Sequence, residues 1–267
     1  MVLIAILMGT LAAGIGSVWL AALLGFGMFA RYTQHMLSLA AGALLATAFM
    51  HLLPEAFESG VGAHQLFVAL LAGLVFFFLL DKAELWHHGH EHRHDGAEHA
   101  HDHGESAHVP PTGQRSSMSG AWAVLAGDSV HCFGDGVLIA SAFMANLELG
   151  VIAALAVLAH EVPHHMGDLI VLRTSEGTRQ AALIKVSLAG AVTMLGGLLG
   201  YWLVERLQAY LPYFLVVASS SFVYVALADL IPQLQKRQTA GQTLAQIAWL
   251  LAGIVMVTLV RALAGGH

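Results

Sequence analysis

The sequence predicts an all-α polytopic membrane protein with eight transmembrane helices. Composition is the first reason: 57% of the 267 residues are hydrophobic and only 10% are charged, against about 25% charged in an ordinary soluble domain. The second is run length, since Gly, Pro and isolated charges divide the chain into apolar stretches, most of them exceeding the ~18 residues that mark a bilayer span. The third is economy. Almost no sequence is left over for a water-soluble domain, so residues 1–267 read as one transmembrane unit.

Taken in order, the helices are expected near 2–29, 34–57, 63–86, 119–145, 149–172, 180–204, 211–234 and 241–264. The first has no basic segment before it, its first charge being Arg31, so it reads as a retained helix rather than a cleaved signal peptide. The second ends in FMHLLPEA (49–56) and the seventh in LADLIPQL (227–234), each with a polar residue three positions before a proline: His51 before Pro54, Asp229 before Pro232. Corresponding proline-interrupted helices are a mark of inverted-repeat membrane proteins. Such helix ends also recur by chance, and the sequence alone leaves both readings open. Between the third and fourth helices, residues 87–118 form the one long connection, expected to be disordered. The loops after helices one, three, five and seven hold nine Lys or Arg, and the other side holds only Arg206 and Arg261. That bias places the long loop in the cytoplasm and both termini outside it. The single cysteine, Cys132, excludes an internal disulfide framework. The net charge of −6, part of it in one loop, gives no reason to expect a nucleic-acid partner.

An ionisable group at the middle of a span costs roughly 2.5–3.5 kcal/mol on insertion scales, so each needs a purpose. Helix four carries Asp128, His131, Cys132 and Asp135 in AGDSVHCFGDG (126–136). At about 100° per residue these four share one face. Helix five carries His160, Glu161, His164, His165 and Asp168. Two adjacent helices thus bring nitrogen, sulfur and carboxylate donors to mid-membrane, a mixture that suits Zn²⁺ and other divalent transition metals better than Mg²⁺ or Ca²⁺. Hydrogen bonds that merely join helices in a membrane use Ser, Thr or a lone Asn, and a set this large is too expensive for that role.

The HEVPH run (160–164) also matches the His-Glu-x-x-His signature of zinc metalloproteases, in which two histidines hold zinc and the glutamate activates water. An intramembrane metalloprotease is therefore the alternative reading, with Asp135 available as a third ligand. Pro163 inside the motif leaves the carbonyl of Ala159 without its helical partner and predicts a kink, a break tolerated where it lines an ion path. Gly134 with Gly136 is a second bend candidate. The long loop reads WHHGHEHRHDGAEHAHDHGESAH (86–108); its His87, His88, His90, His92, His94, His99, His101, His103 and His108 make it a metal-binding tract of low selectivity. Met50, His51 and Glu55 are candidates for the outer mouth of a path, and Asp229 for the inner one.

HCFGDG (131–136) and HEVPHHMGD (160–168) resemble the paired signatures of the ZIP (Zrt/Irt-like) metal transporters, nearest the branch whose fifth helix carries HExPHE. AFMHLLPEAF (48–57) and YVALADLIPQL (224–234) resemble that family too, so the likeness covers most of the chain. It implies a 3+2+3 arrangement, with helices one to three inverted onto six to eight around four and five. It implies a binuclear centre that imports Zn²⁺ into the cytoplasm across the cell inner membrane, and it is compatible with a homodimer. Carried over by position, His131, Asp135, His160 and His164 resemble the first metal site, and Cys132, Glu161, Asp135 and His164 the second, Asp135 and His164 bridging. The same motifs disfavour an exporter. Cys132 stands where the family usually has Asn, His165 where the related branch has Glu, and helix six (185–203) has no acidic residue.

Overall fold

The computed structural model describes residues 1–25, 33–89, 113–176, 178–235 and 239–264. Among these there is no strand. Eight long helices account for nearly everything: α1 (Val2–Leu24), α2 (Thr33–Glu58), α3 (Ala63–Gly89), α4 (Gly113–Ala145), α5 (Leu147–Glu176), α6 (Arg179–Arg206), α7 (Gln208–Leu234) and α8 (Ala240–Ala264). Seven are long and apolar enough to cross a membrane. The eighth, α4, has the length but carries Asp128, His131 and Asp135 along its course, which lowers its hydropathy. Helix α3 runs to Gly89 and α4 starts at Gly113, so both extend into the stretch expected as loop. His87 and His88 close α3, while His90, His92, His94, His99, His101, His103 and His108 lie outside the described residues.

Local chemistry fixes the helix ends. Asn146 alone separates α4 from α5, and its side-chain oxygen accepts the amide of Leu149 at 2.8 Å. Thr178 does the same for Ala181 at the start of α6, at 3.3 Å. Both satisfy amides that the first helical turn leaves unpaired. In α7 a 3₁₀ turn at Gln208–Tyr210 leads into the α-helix at Leu211, and Pro212 sits in its first turn, where its missing N–H costs nothing. Helices α4 and α5 each continue unbroken through Gly134, Gly136 and Pro163. The irregularities lie elsewhere, in π turns at Ala12–Gly16 of α1, Ala48–Leu52 of α2 and Val225–Leu230 of α7. The last two directly precede the Pro54 and Pro232 turns.

Burial separates inner from outer helices. In α2, 72% of the most apolar window is buried, against 11% in α3 and in α8. α3 and α8 present Phe67, Leu71, Phe76, Leu251 and Val255 outward, as lipid-facing helices do. Both also pack tightly on an inner helix. α8 lies on α2 so closely that a Cβ on Gly253 would stand 2.1 Å from the carbonyl oxygen of Leu39. α3 lies on α7 in the same way, with a Cβ on Gly73 falling 2.1 Å from Ser220 Oγ and 3.8 Å from Val217 Cα. Leu39 and Val217 each stand fifteen residues before the proline of their helix, and Gly42 and Ser220 each twelve. In each pair a glycine of the outer helix closes on the inner, proline-ended helix twelve to fifteen residues before that proline.

α4 lies along α6, with a Cβ on Gly136 falling 2.0 Å from Thr193 O and one on Gly196 falling 2.1 Å from Phe133 O. Backbone-to-backbone approach of this kind is how helices gain packing energy where no hydrophobic effect drives them together. It fixes how α4 is turned against α6, with Phe133 and Gly136 at the contact.

Candidate metal centre

The ionisable face of α4 meets that of α5, and their side chains gather into three groups whose ligand atoms lie within 4.8 Å of one another. The first contains His131, Asp135, His160 and Glu161. His160 Nε2 stands 3.3 Å from His131 Nε2, 3.2 Å from Asp135 Oδ2 and 3.2 Å from Glu161 Oε1. His131 Nε2 is 3.3 Å from the same glutamate oxygen. Two ligands each ~2.0–2.1 Å from a tetrahedral Zn²⁺ are about 3.3 Å apart, so these spacings match the edges of a zinc coordination shell. His160 Nδ1 faces the carbonyl of Ala156 at 3.3 Å, a contact it makes as donor, leaving the Nε2 lone pair for the cluster.

The second group contains Asp128, Cys132, Glu161 and His165. Cys132 Sγ is 3.6 Å from Asp128 Oδ1, 3.5 Å from Glu161 Oε2 and 3.9 Å from His165 Nε2. His165 Nε2 is 3.1 Å from Glu161 Oε2. Glu161 thus offers one oxygen to each group and stands between them. The ring of His165 is set from outside the pair of helices, because its Nδ1 lies 2.9 Å from Ser17 Oγ on α1. Ser17 spends its one hydroxyl proton on the carbonyl of Gly14. It must therefore accept from Nδ1–H, so that in the neutral ring the Nε2 lone pair faces Cys132 and Glu161.

All of these carboxylates are buried, Glu161 at 1% exposure and Asp128 and Asp135 at 3%. Asp128 Oδ2, Asp135 Oδ2 and Glu161 Oε1 nevertheless accept no hydrogen bond from any protein group. Two of them are within ion-pair distance of His160 without the alignment of a hydrogen bond, as expected when side chains point at a shared centre rather than at each other. A buried carboxylate without a partner is costly, and a cation at each centre removes that cost.

The resemblance implied His164 and Asp135 as bridges. In the structure Glu161 occupies the shared position, and His165 and Asp128 complete the second group. His164 turns away: its Nδ1 is 3.3 Å from Asp168 Oδ2 and 3.8 Å from Asp128 Oδ1, forming the third group with them. Its ring stacks on His131 with centroids 5.4 Å apart. The two histidines of HEVPH therefore serve different groups, and a peptidase, in which both hold one zinc, is not what this segment builds.

A cavity of about 310 Å³ runs from His131 and Asp135 past His164 to Asp81 on α3 and Asp229 on α7. Asp229 is exposed there and accepts from Gln233 Nε2 at 2.9 Å; Tyr224 donates to Asp81 Oδ2 at 3.1 Å. Met50, His51 and Glu55 sit apart from this cavity. Pro54 frees the carbonyl of Met50 from its helical partner, and Arg261 of α8 donates to it at 3.2 Å while standing 3.5 Å from His51 Nδ1 and 3.7 Å from Glu148. Sequence reasoning missed Ser17, Asp81 and Arg261. Ser17 is one more small residue in an apolar helix, and the other two lie near helix ends, where charge is unremarkable.

The model of the family described as ZIP Zinc transporter matches residues 1–261. The chain is similar to zinc transporter foi of Drosophila melanogaster, 32% identical over 141 residues that cover 52% of this chain and 20% of that protein. It is similar to zinc transporter ZIP13 of Pongo abelii, 28% identical over 250 residues, 85% of this chain and 66% of that protein. It is also similar to zinc transporter ZIP10 of Homo sapiens, 34% identical over 114 residues, 43% of this chain and 14% of that protein. The chain spans less than two thirds of the length of each of these three relatives.

Proposed function

The chain belongs to the ZIP zinc transporter family, and from that premise we propose that it carries divalent transition-metal ions, Zn²⁺ foremost, across the cell inner membrane into the cytoplasm through paired sites between α4 and α5. One observation carries the reading. Four ligand atoms from His131, Asp135, His160 and Glu161, all but the first on buried side chains, converge at zinc-edge spacing, two of them carboxylate oxygens without a hydrogen bond. Glu161, shared with the Cys132 group, makes the centre binuclear.

Import is what the family resemblance implies; which ends of the helices face the cytoplasm rests on the bias of Lys and Arg towards the loops after α1, α3, α5 and α7. The cavity beyond His131 runs towards the same ends of α3 and α7, through Asp81 and Asp229. On this reading an ion leaves the paired sites along carboxylates that face the cytoplasm.

Purified protein in proteoliposomes is expected to accumulate Zn²⁺ down a gradient. His160→Ala is expected to abolish that uptake at equal protein level, because no neighbouring side chain replaces its nitrogen. Uptake by His160→Ala at the parent rate would show that the ions take another route.

A further inference from the structure

We propose that Asp128, His164 and Asp168 form a third metal site, a way station that takes a divalent transition-metal ion from the paired centre and releases it into the cavity. The site stands on its own geometry and rests on the transport reading only for its place in the sequence of events. Its three ligand atoms lie within 4.8 Å of one another. Asp168 belongs to neither of the other groups.

Two observations distinguish this cluster from an ordinary ion pair on a helix face. Asp168 is 9% exposed and Asp128 3%, yet Oδ2 of each accepts no hydrogen bond. And all three side chains line the cavity that leads to Asp81 and Asp229. An ion here keeps positions open to water from the cavity, whereas the side chains of the Cys132 group are all buried.

The ligand chemistry gives the site its purpose. The second group offers sulfur, nitrogen and two carboxylates to one ion, a shell that holds Zn²⁺ tightly. A conducting path needs sites that bind well enough to accept an ion and loosely enough to lose it. Asp128 is shared: its Oδ1 faces Cys132 and His165 on one side and His164 on the other. An ion can keep Asp128 while exchanging Cys132, Glu161 and His165 for His164, Asp168 and water, so it is never bare in the membrane. Losing the Cys132 sulfur for water moves it from a softer to a harder shell, and the next carboxylates, Asp81 and Asp229, are hard donors too.

The test is a metal count on the full chain in lipid nanodiscs by equilibrium dialysis against Zn²⁺, paired with uptake into proteoliposomes. Asp168→Asn keeps the shape and removes the charge. It is expected to bind one Zn²⁺ fewer than the parent and to transport on the order of tenfold more slowly at saturating metal, a typical cost of losing one partner at a metal site. Asp168→Glu is expected to restore the count. If the asparagine protein does not insert, Asp168→Ser is read the same way. A count equal to the parent's in the charge-removing variants would overturn the third site. Parent liposomes that take up no Zn²⁺ would sink the transport reading instead, and the count would still decide the site.

Discussion

At the scale of single residues, the partition of ligands between α4 and α5 turns on which histidine ring faces which neighbour. His131, Cys132, Asp135, His160 and Glu161 stood out because an ionisable group in mid-span needs a reason. A helical wheel spreads residues 160, 161, 164, 165 and 168 over an arc of about 140°, and such an arc cannot say which histidine turns to which neighbour. Here a third helix decides it, since Ser17 holds the ring of His165 over Cys132. The thiol of Cys132 makes the second group softer than one built on an amide oxygen, favouring Cd²⁺ and Zn²⁺ over Mn²⁺. Cys132→Asn is expected to lower the preference for Cd²⁺ over Mn²⁺ in competition binding on the order of tenfold, and Cys132→Ala to weaken the second group for both ions. If both variants keep the parent's preference and stoichiometry, the thiol is packing and no ligand.

At the scale of elements, glycine and proline were legible as punctuation, but their uses differed from expectation. Gly134 and Gly136 suggested a bend, and α4 runs through them without a break. Gly136 is a contact point, whereas a Cβ on Gly134 would meet nothing within 4 Å. The two positions therefore make a matched pair. Gly136→Ala would push a methyl into the carbonyl of Thr193 and is expected to cost about 1–3 kcal/mol, the range for overpacking a close contact. Gly134→Ala is expected to leave stability unchanged or to raise it slightly through helix propensity. Unfolding in graded denaturing detergent reads both, and equal loss in the two variants would mean that the α4–α6 contact is not where the strain falls. The π turns before Pro54 and Pro232 had no sequence signal beyond the prolines themselves. They arise where the missing N–H lets a helix insert one more residue in its turn, and in α2 the freed carbonyl of Met50 is taken by Arg261.

At the scale of the whole molecule, eight helices could be read from hydropathy because a bilayer admits few alternatives. The pairing of α2 with α8 and of α3 with α7 could not, because the signal is a glycine on one helix and a backbone oxygen on another. Among the described residues, the ligand groups draw on α4 and α5 alone. Replacing residues 90–108 with a Gly-Ser linker of equal length is therefore expected to leave Zn²⁺ uptake at the parent rate and to remove only the metal that those histidines hold. Loss of uptake by protein that inserts normally would place the tract on the path.

Ser17 supplies no ligand, yet α1 holds the lone pair of His165 in place through it. Affinity at the Cys132 group is thereby tied to where the first helix stands. Thermodynamic linkage makes that tie mutual. Whatever factor the ion loses in binding when Ser17 and His165 part, the helix gains in freedom when the ion departs. On the proposed reading, a loaded centre would latch α1 and an emptied one would let it go.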